Sequence, residues 1–262
     1  MLFRRIIFAA LLVGGLSGLL LSAVQRWQVI PIINAAEQFE NARIPQAARA
    51  ASEEAPAHSH GDHSHAAHEH EAGAWEPAEG VERIGFTVLA NVLAAFGFAL
   101  MMMAAMAMVV RQQALAPRRT APRLDWRYGL LWGVAGYMVF FLAPSLGHPP
   151  EIPGSVAAPL GARQLWWMLA AGCTAAGLAV TVFGRSPWRW GGLALLALPH
   201  VIGVPESGMS PFVGFPADVA ADMNRLARQF VWATALANAA FWLALGGLSG
   251  WAIQRFVAKS VV

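Results

Sequence analysis

The 262-residue chain holds a single cysteine, and only 13% of its residues are charged. One thiol forms no intrachain disulfide, and there is no Cys-x-x-Cys pair. Thiolate metal sites and dithiol redox chemistry therefore drop out as leading readings. Cys173 lies inside an apolar run, where a lone small residue packs. Soluble domains carry about 25% charged residues, and this chain falls well below that level. With 57% hydrophobic residues and a mean hydropathy of +0.49, it belongs to the membrane class. A Walker motif, a His-Glu-x-x-His motif and a catalytic-triad pattern are all missing. The chain is accordingly not read as an enzyme. No permanent cofactor and no nucleic-acid partner is expected; membrane lipid is.

What the sequence does have is long apolar runs. A spanning helix needs about 20 mainly apolar residues, and six segments qualify or nearly do: Ile6–Val24, Ile84–Val110, Tyr128–Leu146, Leu165–Phe183, the shorter Trp190–Val204, and Phe230–Ile253. The expected fold is an all-α integral membrane protein, a bundle of about six transmembrane helices with a disordered His-rich outer loop. Residues 1–24 form the first helix, 25–83 the loop, and 84–262 a five-helix bundle. The first span follows Arg4 and Arg5 like a signal peptide. Its apolar run exceeds the usual 7–15 residues of such a core, and no convincing cleavage site follows, so it reads as a retained anchor.

Charge placement orients the spans. Lys and Arg in short loops mark the cytoplasmic side. Arg4, Arg5, Arg111, Arg118, Arg119, Arg123, Arg127, Arg185, Arg189, Arg255 and Lys259 fall on the side of both termini, and Asp125 is the sole acidic residue there. Both termini are therefore expected inside, and residues 25–83 outside on an acidic face that attracts cations. Tryptophans at the span ends, such as Trp27, Trp126, Trp188 and Trp232, fit interfacial belts.

Six of the eight histidines lie in that outer loop, at His58, His60, His63, His65, His68 and His70. Neutral imidazole is a common ligand for divalent transition metals. The spacings of two and three on an Ala-, Glu- and Pro-rich stretch define no rigid tetrahedral site, so the tract suits loose, fast-exchanging capture. The other two histidines sit beside prolines. His148 and Glu151 stand in Leu-Gly-His-Pro-Pro-Glu-Ile-Pro-Gly, where Pro149, Pro150 and Pro153 stiffen the backbone as a coordination site needs. His200 follows Pro199 in the short fifth span, where a broken helix and an ionisable side chain together point to a transport pathway. Glu37 and Glu40, three apart beyond the first span, can share a helix face at the outer mouth; solvated acids on an interfacial helix are the plainer alternative. Met101, Met102, Met103, Met106 and Met108 read as flexible packing rather than a soft-metal site. Asn91 and Asn238 are either interhelical glue or part of a polar path. Asp218, Asp222 and Arg225 read as a solvated helix start with an ion pair.

These motifs carry a family resemblance. The opening Met-Leu-Phe-Arg-Arg with Gly-Gly-Leu-Ser-Gly-Leu-Leu, the Pro-Ile-Ile run to Glu40, the His148–Glu151 segment and Leu-Pro-His200-x-x-Gly-x-Pro205 together resemble the CbtA family of predicted cobalt transporter subunits, over most of the chain. The resemblance implies a bacterial inner-membrane protein tied to cobalamin supply, and a small single-span partner of the CbtB type that bears its own histidine motif. It implies Co(II) as the transported ion, with Ni(II) or Zn(II) compatible with the same donors. The matched positions are Glu37, Glu40, His148, Glu151 and His200; the His58–His70 tract falls where the family is expected to vary. The leading expectation is Co(II) uptake, with the loop gathering metal and the His and Glu residues passing it inward. The alternative is a non-transporting membrane receptor or assembly factor that delivers metal to a partner.

Overall fold

In hydrocarbon, backbone polar groups must be satisfied within the segment, which makes helices the solution for apolar runs of this length. The computed structural model of the protein describes residues 2–53, 77, 78, 80–115, 125–184 and 187–257, and every regular element among the described residues is helical. In order these are α1 (Leu2–Val24), α2 (Ile30–Glu53), α3 (Val81–Leu115), α4 (Trp126–Tyr137), α5 (Ala143–Gly147), α6 (Leu160–Phe183), α7 (Arg189–Ile202) and α8 (Ala217–Ala252). Three π-helical turns accompany them: Gln25–Val29 joins α1 to α2, Met138–Leu142 joins α4 to α5, and Ile253–Val257 extends α8.

Five stretches are long and apolar enough to cross a membrane: Phe3–Arg43, Val81–Gln112, Trp126–Gly147, Leu160–Phe183 and Ala217–Phe256. The expected all-α membrane bundle is thus present, with one short member. At 14 residues, α7 rises about 21 Å, less than the roughly 30 Å hydrocarbon thickness. The path of the chain still closes. Arg5 at the start of α1 donates from Nη1 to the Phe256 carbonyl, 3.4 Å away, so α1 begins where α8 ends. From this Arg5 end, α7 runs back along α6, with the Gly192 backbone against Gly177. The irregular segment 203–216 completes the return to the opposite, loop-bearing end.

Small residues set the central packing. α4 and α8 run antiparallel with their backbones touching: a Cβ at Gly129 would overlap the Gly246 carbonyl oxygen, and one at Gly133 the Trp242 carbonyl oxygen. α1 and α3 meet the same way, Gly14 on Phe96 and Gly18 on Val92. Close backbone approach through small residues is how membrane helices gain contact without a hydrophobic driving force. One core cluster unites Ala10 and Val13 of α1, Met103 and Met106 of α3, and Trp242 and Leu245 of α8. Met102, Met103 and Met106 thus fill the core, while Met101 and Met108 lie exposed on the outer face of α3. A second cluster at the loop-bearing end joins Ala36 of α2, Ile152 and Phe212 of the two end loops, and Met223 and Phe230 of α8.

The first helix does not stop where the apolar run does. It continues from α1 through the π turn into α2 as far as Glu53, across Pro31 and residues that the sequence assigned to a mostly disordered loop. The π turn explains how a proline is tolerated. Pro31 lacks an N–H and its ring crowds the carbonyl four residues back. Just before it, Ile30 donates to Gln25 instead, five residues back. The same device recurs before Pro144, where Ala143 donates to Met138. Widening one turn absorbs the proline without breaking the helix.

Candidate metal-handling site

The loop after α5 is built to hold its side chains still. The His148 N–H closes α5 on the Pro144 carbonyl at 2.8 Å. Pro149, Pro150 and Pro153 then fix φ and remove donors. Ser155 turns the chain back, its Oγ donating to the Ile152 carbonyl at 2.7 Å, next to Gly154 at φ 80°. Ile152 is buried, and Val156 donates to the Pro211 carbonyl at 2.7 Å, locking this loop onto segment 203–216. Glu151 therefore sits between a proline and an anchored residue.

His148 Nε2 lies 3.9 Å from Glu151 Oε1, and Arg163 Nη1 of α6 donates to Glu151 Oε2 at 2.8 Å. All three side chains are half-buried. The carboxylate is thus divided: one oxygen is taken by the guanidinium and the other faces the imidazole. Two donors bound tetrahedrally at about 2.1 Å stand roughly 3.4 Å apart, so the His148–Glu151 gap needs only a small closure to share one divalent ion. Nitrogen and carboxylate oxygen suit Co(II), Ni(II) and Zn(II) alike.

The remaining sequence candidates lie around this pair without joining it. The His200 ring meets Trp166 edge-on at 6.0 Å between centroids and is exposed on the flank of α7. Trp166 also fills the space beside Gly147 and Val204. The Trp166 indole N–H and the Arg163 Nε are buried without a hydrogen-bond partner among the described residues. Glu40 of α2 backs onto Gly154, and Arg43, one turn on, lies 4.8 Å over the Phe215 ring. Glu37 is bound by Arg83 of α3, Nη2 to Oε1 at 2.6 Å. That pair borders a cleft of about 700 Å³ between the Gln25–Val29 π turn, α2, α3 and α8. Deeper in it, Asn91 donates to Ser22 Oγ at 3.0 Å and to Gln25 Oε1 at 2.7 Å, so Asn91 ties α3 to the first helix. Asn238 instead donates within its own helix, to the Thr234 carbonyl. Arg225 pairs with Asp222 at 2.9 Å, as expected for a solvated helix start.

Among the described residues, no three of His, Cys, Asp and Glu gather closely enough to hold a metal. The structure brings His148 and Glu151 together and leaves His200, Glu37 and Glu40 apart from them. His58, His60, His63, His65, His68 and His70 lie outside the described residues. Sequence reading missed Arg163 and Trp166 as parts of the site. The one available signal was an arginine just inside the start of an otherwise apolar helix.

The helices and their glycine-packed core define a multi-pass membrane protein. The family described as "Probable cobalt transporter subunit (CbtA)" matches residues 3–254, and the chain belongs to it. A transporter subunit works with a partner, and its transport role is not an enzyme activity. No curated protein and no solved structure matches the chain.

Proposed function

We propose that this chain is the membrane subunit of a Co(II) uptake transporter of the bacterial inner membrane, with both termini cytoplasmic and the loop-bearing end outside. The observation that supports it most is the proline-fixed pair of His148 and Glu151, held by Arg163 at the loop-bearing end of a chain whose family is a cobalt transporter subunit. In this reading the six histidines of the His58–His70 tract gather metal. His148 and Glu151 receive it, displacing part of the Glu151–Arg163 pair. His200, beyond Trp166, lies further along the path, and Glu37 and Glu40 keep the mouth acidic. Two protein donors leave further coordination positions to water and to a small single-span partner of the CbtB type. Only neutral imidazole binds metal, so acid weakens uptake.

The alternative, a non-transporting receptor that hands metal to a partner, gains from the incomplete donor set. Radioactive cobalt uptake into vesicles containing the chain and its partner separates the two. Uptake lost in His148→Ala and His200→Ala, but only reduced at scarce metal when residues 58–70 are deleted, supports transport through the bundle. Metal binding without flux, dependent mainly on the 58–70 tract, supports the receptor. Unchanged flux in both point variants ends the proposed pathway.

A further inference from the structure

The opposite end of the bundle carries a second cleft, far from the His148–Glu151 pair. It has a volume of about 800 Å³ and is lined by Arg4, Arg5, Phe8, Leu12, Arg255 and Phe256 among others. Two helix ends that are distant in sequence build it. Arg4 and Arg5 lie in the first turn of α1, and Arg255 lies in the π turn after α8. The Arg5 hydrogen bond to the Phe256 carbonyl ties the two together. Arg4, Phe8 and Leu12 recur every four residues, so they form one stripe down α1. Phe8 is 64% and Leu12 47% exposed. The cleft is therefore cationic at its rim and apolar below, in a segment long and apolar enough to span a membrane.

Neither Arg4 nor Arg255 meets a carboxylate among the described residues. Asp125, the acidic residue beside α4 at this end, is engaged in capping that helix through the Tyr128 N–H at 2.9 Å. Guanidinium groups bind phosphate through paired, directed hydrogen bonds, and basic pockets between spanning helices accept anionic lipid headgroups. A free phosphate would use only the rim. A lipid also uses the exposed Phe8–Leu12 face, by laying an acyl chain along it.

We propose that this cleft is a binding site for an anionic phospholipid, its headgroup phosphate held by Arg4 and Arg255 and its acyl chain lying on Phe8 and Leu12. The site bridges the first and last helices, so its occupant clamps them together. It is independent of metal transport.

The test is native mass spectrometry of the delipidated full chain, titrated separately with dioleoyl phosphatidylglycerol, tetraoleoyl cardiolipin, dioleoyl phosphatidylcholine and inorganic phosphate. Both anionic lipids are expected to bind more tightly than phosphatidylcholine. With about 1 kcal/mol per basic residue, Arg4→Gln with Arg255→Gln weakens them about thirtyfold. Arg127→Gln, at the same end but outside the cleft, leaves them unchanged. Phe8→Ala, which keeps Arg4 and Arg255, weakens the lipids while leaving inorganic phosphate as weak as before. Equal binding of phosphatidylcholine and phosphatidylglycerol overturns the proposal, as does equal loss in Arg127→Gln. Binding of inorganic phosphate as tight as that of the lipids makes the cleft a free-anion site and overturns it too.

Discussion

The four central helices and the α6–α7 hairpin are held by different means. In the centre, α1 against α3 and α4 against α8 touch backbone to backbone, and the shared core is apolar. The hairpin has one such contact of its own, Gly177 with Gly192, and meets the rest of the bundle mainly through α5, the π turn before it and Trp166. Its outer surface is open, with Trp190 and Val201 strongly exposed. Yet the hairpin supplies Arg163 and His200, while among the described residues the centre supplies no ionisable group to its buried core. In the proposed reading, rigidity and ligand chemistry fall to separate parts. Glu151 joins them, for its loop is anchored in the end cluster beside α8 while its charge is bound by α6.

The sharpest way to break this comparison is to put side chains into each contact. Gly246→Val drives a branched side chain into Gly129 and Gly133, and overpacking of this kind costs about 3 kcal/mol or more. Loss of folded protein, or a large fall in melting temperature in detergent, is the expected outcome. Gly172→Ala on α6 meets nothing within 4 Å and should melt as the parent does or slightly higher. If the two variants behave alike, the division between a tight centre and a tolerant flank is wrong.

Function should sort the opposite way. His148→Ala is expected to cut Co(II) uptake at least tenfold with little change in melting temperature, because His148 is only partly buried and forms no short side-chain hydrogen bond among the described residues. A smaller effect should come from Arg163→Gln. Freeing the second Glu151 oxygen should tighten resting Co(II) binding several-fold, seen by calorimetry, and slow its release in the flux assay. The stability cost should stay within about 1 kcal/mol for a pair still nearly a third exposed. Smallest of all is Arg83→Gln. Its pair with Glu37 is more exposed on the arginine side, so the melting temperature should hardly move, and salt titration of the parent should show equally little. A large stability loss there would mean that the α2–α3 cleft is structural after all.

The sequence announced what depends on local pattern. Apolar run length located the spans, the Pro-flanked motif brought His148 and Glu151 together, and Met102, Met103 and Met106 of the α3 run packed as expected. What it could not announce depends on distance through the fold. Arg163 reaches Glu151 from across a loop, twelve residues on. His200 meets Trp166, which packs beside Gly147, an outcome of how α6 lies against α5 and α7. Pro31 fell in the stretch read as a mostly disordered loop, and the cost of keeping it helical is met by a hydrogen-bond shift that composition does not reveal.

That shift at Gln25–Val29 has a consequence for insertions and deletions. A π turn holds one residue more than the α-turn it replaces, and one residue in an α-helix is about 100° of rotation. Everything beyond it, including Glu37 and Glu40, is turned by that amount relative to α1. Deleting Gln28 alone would wind α1 into α2 along a single α-helical register. The deletion should carry Glu37 away from Arg83 and Glu40 away from Gly154 while every side chain beyond the turn stays chemically the same. One residue of length, rather than any residue's identity, is what aims the acidic face of α2 at the loop-bearing end.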